Sequence, residues 1–390
     1  MVNLPEANRS AAETGDDIRL FLCGDVMLGR GIDQILAHPG DPRLHEPVVR
    51  SAIEYVELAE AANGPIPRIV SPDYIWCDAL AELARAKPQA RIINLETSVT
   101  TSAAYAPKGI NYRMNPANVA CLTAAGIDCC VLANNHVLDF GRTGLGETLE
   151  TLRGAGIKTA GAGHRVAEAQ APAIFNLTAG GRLLVFAFGH SSSGVPWDWA
   201  AGPDTPGIDL LPDLSERTLL NIARRVSQAR RAKDLLIASI HWGSNWGYEI
   251  AAAQRDFAHR LIDGAGFDLV HGHSSHHAKA IEVYHDRLIL YGCGDFLNDY
   301  EGISGYDEFR GDLSLMYLPR LCAATGRLIE LCLVPFRIAQ FRLHRASPPD
   351  RVWLQRNLDT VSKPFGVAVE SAADGRLSVR WDEPGRAGST

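Results

Sequence analysis

Apolar and polar positions along the chain follow two rhythms. Short runs rich in Ile, Val and Leu, of strand length, alternate with stretches in which apolar residues recur at helical spacing. The first half runs IRLFLCGD (18–25), a helix near 76–86, RIINLE (91–96), a helix near 116–125, IDCCVLANN (127–135) and a helix near 144–153. The second set runs RLLVFAFG (182–189), a helix near 215–232, LLIASIHWG (235–243), a helix near 252–263 closed by Gly264 and Gly266, and FDLVHGH (267–273). Continuous apolar strands separated by helices predict an α/β fold.

The rhythm then changes. AIEVYHDRLILYG (280–292) predicts a hairpin about His285 and Asp286, LIELCLVPFRIAQFRL (328–343) predicts more strand, VWLQRNLDTV (352–361) a helix, and VAVESAADGRLSVRW (367–381) a hairpin turning at Asp374 and Gly375. Polar, small residues fill 1–17 and 383–390, so both tips are expected to be loosely held. With neither a repeat nor a long linker between them, 18–382 is expected to form a single domain.

Chemistry enters where the strands stop. The first strand runs into Gly24-Asp25, the second into Asn94-Leu95-Glu96, the third into Asn134-Asn135-His136, the next into His241, and the last into His271-Gly272-His273, with His276 just beyond. In open α/β sheets the ligand crevice lies outside the carboxyl ends of the strands, so these groups are expected to converge there. A lone Asp after a strand is usually a turn residue and a lone His a structural one. Five successive strand ends that all release carboxylate, carboxamide or imidazole point instead to a shared metal site. Oxygen and imidazole donors without sulfur suit Mn, Fe, Zn, Mg or Ca and argue against thiolate copper or iron–sulfur centres. One or two divalent ions are compatible with the set, and Glu96 has two oxygens with which to bridge a pair about 3.5–4 Å apart.

Composition narrows the partners. Lys+Arg 38 against Asp+Glu 45 gives a net charge of -7, which leaves no general basic surface for nucleic acid. The first twenty residues contain no apolar run, so neither a signal peptide nor a membrane anchor is expected, and the localisation expected is cytoplasmic. The 8 cysteines have no CxxC pair and are read as reduced, buried small hydrophobes.

The motifs GDVMLGRG (24–31), NLETSVT (94–100), LANNHVLDFG (132–141), IHWG (240–243) and GHSSHH (272–277), followed by IEVY and LYGCGDFLND, resemble the CapA family of capsule and poly-gamma-glutamate biosynthesis proteins. That family is similar in turn to calcineurin-like metallophosphatases. The resemblance implies a four-layer α/β/β/α sandwich of two mixed sheets. It also implies Asp25 as a ligand of one ion, Glu96 as the bridge, Asn135, His241 and His273 as ligands of the second ion, and His276 as a ligand of the first. His136 would then give or take the proton, with Asp25 and His276 as the other catalytic groups. Met27 stands where metallophosphatases supply a further His, Glu96 where they generally have Asp, and GHSSH is one residue longer than the usual final motif.

Lys108 and Arg113 lie in a Gly/Pro-punctuated loop and are candidates to pair with a substrate carboxylate or phosphate. Trp242 and Trp246 are candidate apolar walls, and His190 with Ser191 to Ser193, Arg30 and Asp295 are further candidates. The leading expectation is a metal-dependent hydrolase or transferase acting on a small-molecule or peptide substrate with an anionic group, glutamyl or phosphorylated. Two alternatives stand beside it: a peptide epimerase that removes and returns a Cα proton next to a metal-held carboxylate, and a non-catalytic partner of a surface-polymer synthase. The sequence carries no signal for an oligomeric state.

Overall fold

The structure is a computed structural model that describes residues 17–178 and 180–382; apart from Asp17, the expected loose tips lie outside the described residues. Two large mixed sheets carry it. In the first, ten strands are built around Asp17–Val26, which pairs in parallel with Ala90–Leu95 on one side. Cys129–Val131 and Lys158–Ala160 continue the parallel half. On its other side Asp17–Val26 meets the antiparallel strand Leu313–Cys322, followed by Leu328–Ala339 and the hairpin Val367–Ser371/Leu377–Trp381. The second sheet has a parallel centre of Arg182–His190, Leu235–His241, Leu269–His273 and Arg287–Leu290, with antiparallel neighbours at both ends.

Side-chain alternation along one strand shows how the layers stack. Leu183, Val185 and Ala187 point into the cluster shared with the first sheet, whereas Leu184, Phe186 and Phe188 point into a second cluster with the helices Glu216–Ala229 and Ala252–Ala265. On the far side of the first sheet, Leu83 from Asp78–Ala86 and Leu145, Leu149 and Leu152 from Gly141–Gly154 pack inward. The layers are therefore helix, sheet, sheet, helix, as expected for the four-layer α/β/β/α sandwich. The sheets come close enough that a Cβ on Gly161 would lie 2.8 Å from the Ala187 Cβ.

Local chemistry explains most boundaries. Ser215 caps its helix by accepting from the Thr218 amide, and Gly266 ends the next helix in the left-handed region at φ 76. Gly264 lies inside that helix, where its lack of a side chain accommodates Leu219 of the neighbouring helix. The helix expected near 116–125 is split, with a 3-10 turn over Pro116–Val119 and an α-helix over Ala120–Ala124, because Asn115 caps the turn through the Ala117 amide. The hairpin forms at His285 and Asp286, both with positive φ, as does the one at Gly375. The helix Ala52–Asn63 and the strand Leu313–Cys322 were not anticipated. All eight cysteines are free, five of them buried and Cys77, Cys322 and Cys332 partly so. Among the described residues no helix is long and apolar enough to cross a membrane.

Candidate metal centre

The parallel strands of both sheets end on the same side, and the junction between sheets fixes their offset: the His271 ring bonds the Cys23 carbonyl at 2.8 Å. Asp25 follows directly after Gly24, where a Cβ would come within 1.8 Å of the Gly294 carbonyl oxygen. Only glycine permits this approach, and it brings Asp25 into register with Asp295 on the parallel strand Asp295–Leu297.

Asn94 ties the two carboxylates together. Its Nδ2 donates to Asp25 Oδ1 at 2.7 Å and lies 3.3 Å from Glu96 Oε2, while its own Oδ1 accepts from Asn134 at 3.0 Å. The imidazoles complete the ring. His241 Nε2 lies 3.0 Å from Asn135 Oδ1 and 3.9 Å from Glu96 Oε1, and its Nδ1 faces His273 Nδ1 at 2.9 Å. His273 Nδ1 is also 3.9 Å from Asp25 Oδ1. One donor atom each from Asp25, His241 and His273 lies within 4.8 Å of the others. Ser239 and His271 lie behind, with the Ser239 hydroxyl 2.9 Å from His273 Nε2 and 3.0 Å from His271 Nδ1. His276 stands beside Asp295, with its Nδ1 3.0 Å from Oδ1, and Asn298 donates to the other carboxylate oxygen at 2.8 Å. Asp25, Glu96, Asn135, His241 and His273 are thus linked by contacts shorter than 4 Å, and His276 stands next to them through Asp295, the register partner of Asp25.

The electrostatics are those of a cation's cradle. Burial pushes Asp25 up to about 7, reinforced by Asp295, and raises Glu96 well above the usual carboxylate range, reinforced by Asp25. Burial also holds His241 and His273 well below the ordinary histidine value, so both present neutral, lone-pair nitrogens. At His276 burial works against the charge, but Asp295 and Asp25 outweigh it and lift the pKa. Two buried carboxylates, a carboxamide oxygen and neutral imidazoles fit a divalent ion of hard to intermediate character, because a cation would stabilise the charged carboxylates that burial disfavours.

His136 sits at the rim. Its Nδ1 is 2.6 Å from Asp139 Oδ2 and its Nε2 is 3.7 Å from Glu96 Oε1. Asp139 also accepts from the Tyr112 amide at 2.6 Å and pairs with Lys108 at 2.8 Å. Sequence reasoning singled out His136 but passed over Asp139, three residues on in NNHVLD; an i, i+3 His–Asp spacing was the available signal. Asn94, Asn134, Ser239 and His271 were likewise not assigned roles.

The expected substrate residues separate. Lys108 lies in the site but is engaged, its Nζ bonding the Asn135 carbonyl as well as Asp139. Arg113 is spent on the carbonyls of Ser102 and Asp41 at 2.9 and 3.0 Å. Arg30 is buried, bonded to Asp299 and Glu46 and stacked on Tyr55, so its charge is already neutralised. Trp242 departs from the expected wall because the residue after His241 points to the opposite face: its ring is buried in the helix-side cluster and its Nε1 donates to the Tyr291 carbonyl. Trp246 instead lies at the rim, its ring centre 5.2 Å from His276 and stacked on Tyr306 at 4.2 Å. His190 bonds Ser192 in its own turn, and Ser193 holds the His241 carbonyl at 2.9 Å.

The family model described as bacterial capsule synthesis protein PGA_cap matches residues 19–300. The chain belongs to this family. Over 366 residues it is 46% identical to a probable polyglutamine synthesis accessory protein of Mycobacterium tuberculosis, covering 93% of this chain and 96% of that one. It is 26% identical to the PGA biosynthesis protein CapA of Bacillus subtilis over 85% of this chain and 73% of that one. Among solved structures, a phosphatase from Mycoplasma pneumoniae aligns with a TM-score of 0.45 and 11% identity, over 82% of this chain and 94% of that one. The PGA_cap match begins just before Asp25 and ends just beyond Asp299, so it spans every residue of the cradle described above.

Proposed function

We propose that this PGA_cap protein is a metal-dependent hydrolase or transferase acting on an anionic, glutamyl-like or phosphorylated substrate in capsule or polyglutamate production. One observation carries the reading: Asp25, Glu96, Asn135, His241 and His273, released by strands of two different sheets, face one another across a few ångströms. The names of the relatives support the biosynthetic setting. Asp25, Glu96, Asn135, His241, His273 and His276 would hold one or two divalent ions. When bound, such ions supply Lewis acidity toward a carbonyl or phosphoryl oxygen.

The remaining work falls to the chain's own groups. Asp139 accepts a hydrogen bond from Nδ1–H of His136, which fixes the tautomer and leaves Nε2 as the free nitrogen, on the Glu96 side. Burial pushes His136 down to about 4, so at neutral pH Nε2 starts as a proton acceptor. Lys108 pairs with Asp139 at 2.8 Å and stands 3.1 Å from His136 Nδ1, where its charge adds to the lowering of the ring's pKa. Asp295 and Asn298 hold His276 in orientation. Elemental analysis after gentle purification, together with a screen of phosphate esters, glutamyl peptides and peptide C-termini, tests the reading. Wild type is expected to carry stoichiometric divalent metal and to turn over one class, and His241→Ala to lose both. Equal metal content and equal turnover in the two proteins would overturn it.

A further inference from the structure

Two phenols join the histidines on either side of the crevice. The Tyr112 ring meets His136 edge-on with centres 4.4 Å apart, and the Tyr300 ring meets His276 in the same manner at 5.5 Å. Each phenol is anchored through the groups that orient its histidine. The Tyr112 amide donates to Asp139, which bonds His136. The Tyr300 amide donates at 3.1 Å to Asn298, whose own amide holds Asp295 beside His276. Arg30 lies over both rings, 4.6 Å from the centre of Tyr112 and 5.7 Å from that of Tyr300, so one buried cation helps to fix the two.

The hydroxyls meet between the two histidines, 2.6 Å apart, and a count of their protons leaves one over. One O–H serves the bond between them. Among the described residues the other acceptor in reach is the Met27 thioether, 3.5 Å from the Tyr300 oxygen, and a thioether accepts only weakly. Burial raises both phenols well above their ordinary pKa, so both stay protonated donors. Met27 stands two residues past Asp25, which sets the spare proton at the edge of the candidate metal centre. Asp25, Glu96, His241 and His273 are buried there, whereas Asn135, His276 and Tyr300 keep part of their surface exposed. The crevice therefore reaches solvent along the side that Tyr300 shares with His276.

We propose that Tyr300, steadied by Tyr112, donates a hydrogen bond to an anionic oxygen of the substrate on the His276 side of the crevice. The assignment rests on the substrate class read above, with Tyr300 as a binding group and Tyr112 as its positioning residue. It is tested by calorimetric titration of the full, metal-loaded chain with inorganic phosphate and with the dipeptide γ-glutamylglutamate. The tighter binder tells a phosphoryl oxygen from a carboxylate. For that probe Tyr300→Phe is expected to raise Kd by about tenfold, the size of one hydrogen bond to a charged group, with metal content unchanged. Tyr112→Phe keeps the outward donor and should raise Kd by no more than about threefold. In wild type the bound probe should also red-shift a tyrosine absorption band, because the phenol exchanges a thioether for an anionic acceptor; this readout holds even if Tyr300→Phe folds poorly. Failure of both probes to bind, an unchanged Kd in Tyr300→Phe, a larger loss in Tyr112→Phe than in Tyr300→Phe, or no spectral shift would overturn the proposal and, where metal is stoichiometric, leave the metal centre standing. A tenfold loss in Tyr300→Phe, in a protein that turns over none of the screened substrates, would sink the enzymatic reading alone.

Discussion

Replacing Asp25 by Asn should change the sign of its effect on stability according to whether divalent metal is present. Without metal, the folded protein holds the Asp25 carboxyl near a pKa of about 7, against an ordinary value of 3.8. The folded state then binds a proton that the unfolded state has released, so between those values stability falls as pH rises. A shift of that size corresponds to about 4 kcal/mol at pH 8, an upper figure because Glu96 relaxes when its neighbour is neutral. Both Asp25 oxygens accept, one from Asn94 at 2.7 Å and one from the Ser274 amide at 3.2 Å, so the Asn amide must turn an N–H toward a donor. That mismatch costs about 1–3 kcal/mol. In chelator at pH 8 the variant is therefore expected to be more stable than wild type by roughly 1–3 kcal/mol, and at pH 4.5 to lose that advantage. With saturating Mn²⁺ the order reverses, since wild type gains about 2.7 kcal/mol at a hundredfold excess over Kd and the variant forfeits most of it. Urea midpoints for both proteins, at both pH values and with and without Mn²⁺, provide the measurement. If Asp25→Asn is destabilising by the same amount in chelator and in Mn²⁺, the carboxylates are not a cation's cradle.

Two further outcomes are expected. Asp139→Asn should retain the fold by circular dichroism yet lower kcat by about 10²–10⁴, with KM little changed, because an amide in place of the acceptor at 2.6 Å favours the wrong His136 tautomer; unchanged kcat would remove His136 from the proton path. Gly24→Ala should cost more than about 3 kcal/mol and abolish metal uptake, since its Cβ would sit 1.8 Å from a backbone oxygen; a soluble variant with native metal content would show that the two strands can part.

The alternation of apolar runs and helices was enough to anticipate the α/β layers, because strands buried on both faces leave continuous Ile, Val and Leu runs such as RLLVFAF. The crevice was legible for the same reason: strand ends are fixed in space by the sheet, so Asp25, Glu96, Asn135, His241 and His273 had few places to go. Whether a residue reaches that crevice depends on which face its side chain takes. Trp242 neighbours His241 in sequence and points to the opposite side of the sheet. Arg30 and Arg113 read as free charges because their partners, Asp299 and the Asp41 carbonyl, lie 269 and 72 positions away. Leu313–Cys322 escaped notice because Pro319 inside it argues against a strand.

The Asp25 strand takes one neighbour from Ala90–Leu95; its other side is shared between Asp295–Leu297, beside Asp25, and Leu313–Cys322, which covers the first half and lies beyond the segment matched by the PGA_cap model. During synthesis the aspartate is made early, yet its strand stays an open edge until nearly three hundred more residues have left the ribosome. A fragment cut at the end of the matched region would carry every candidate ligand and the strand beside Asp25, yet would leave the first half of the Asp25 strand bare along one side.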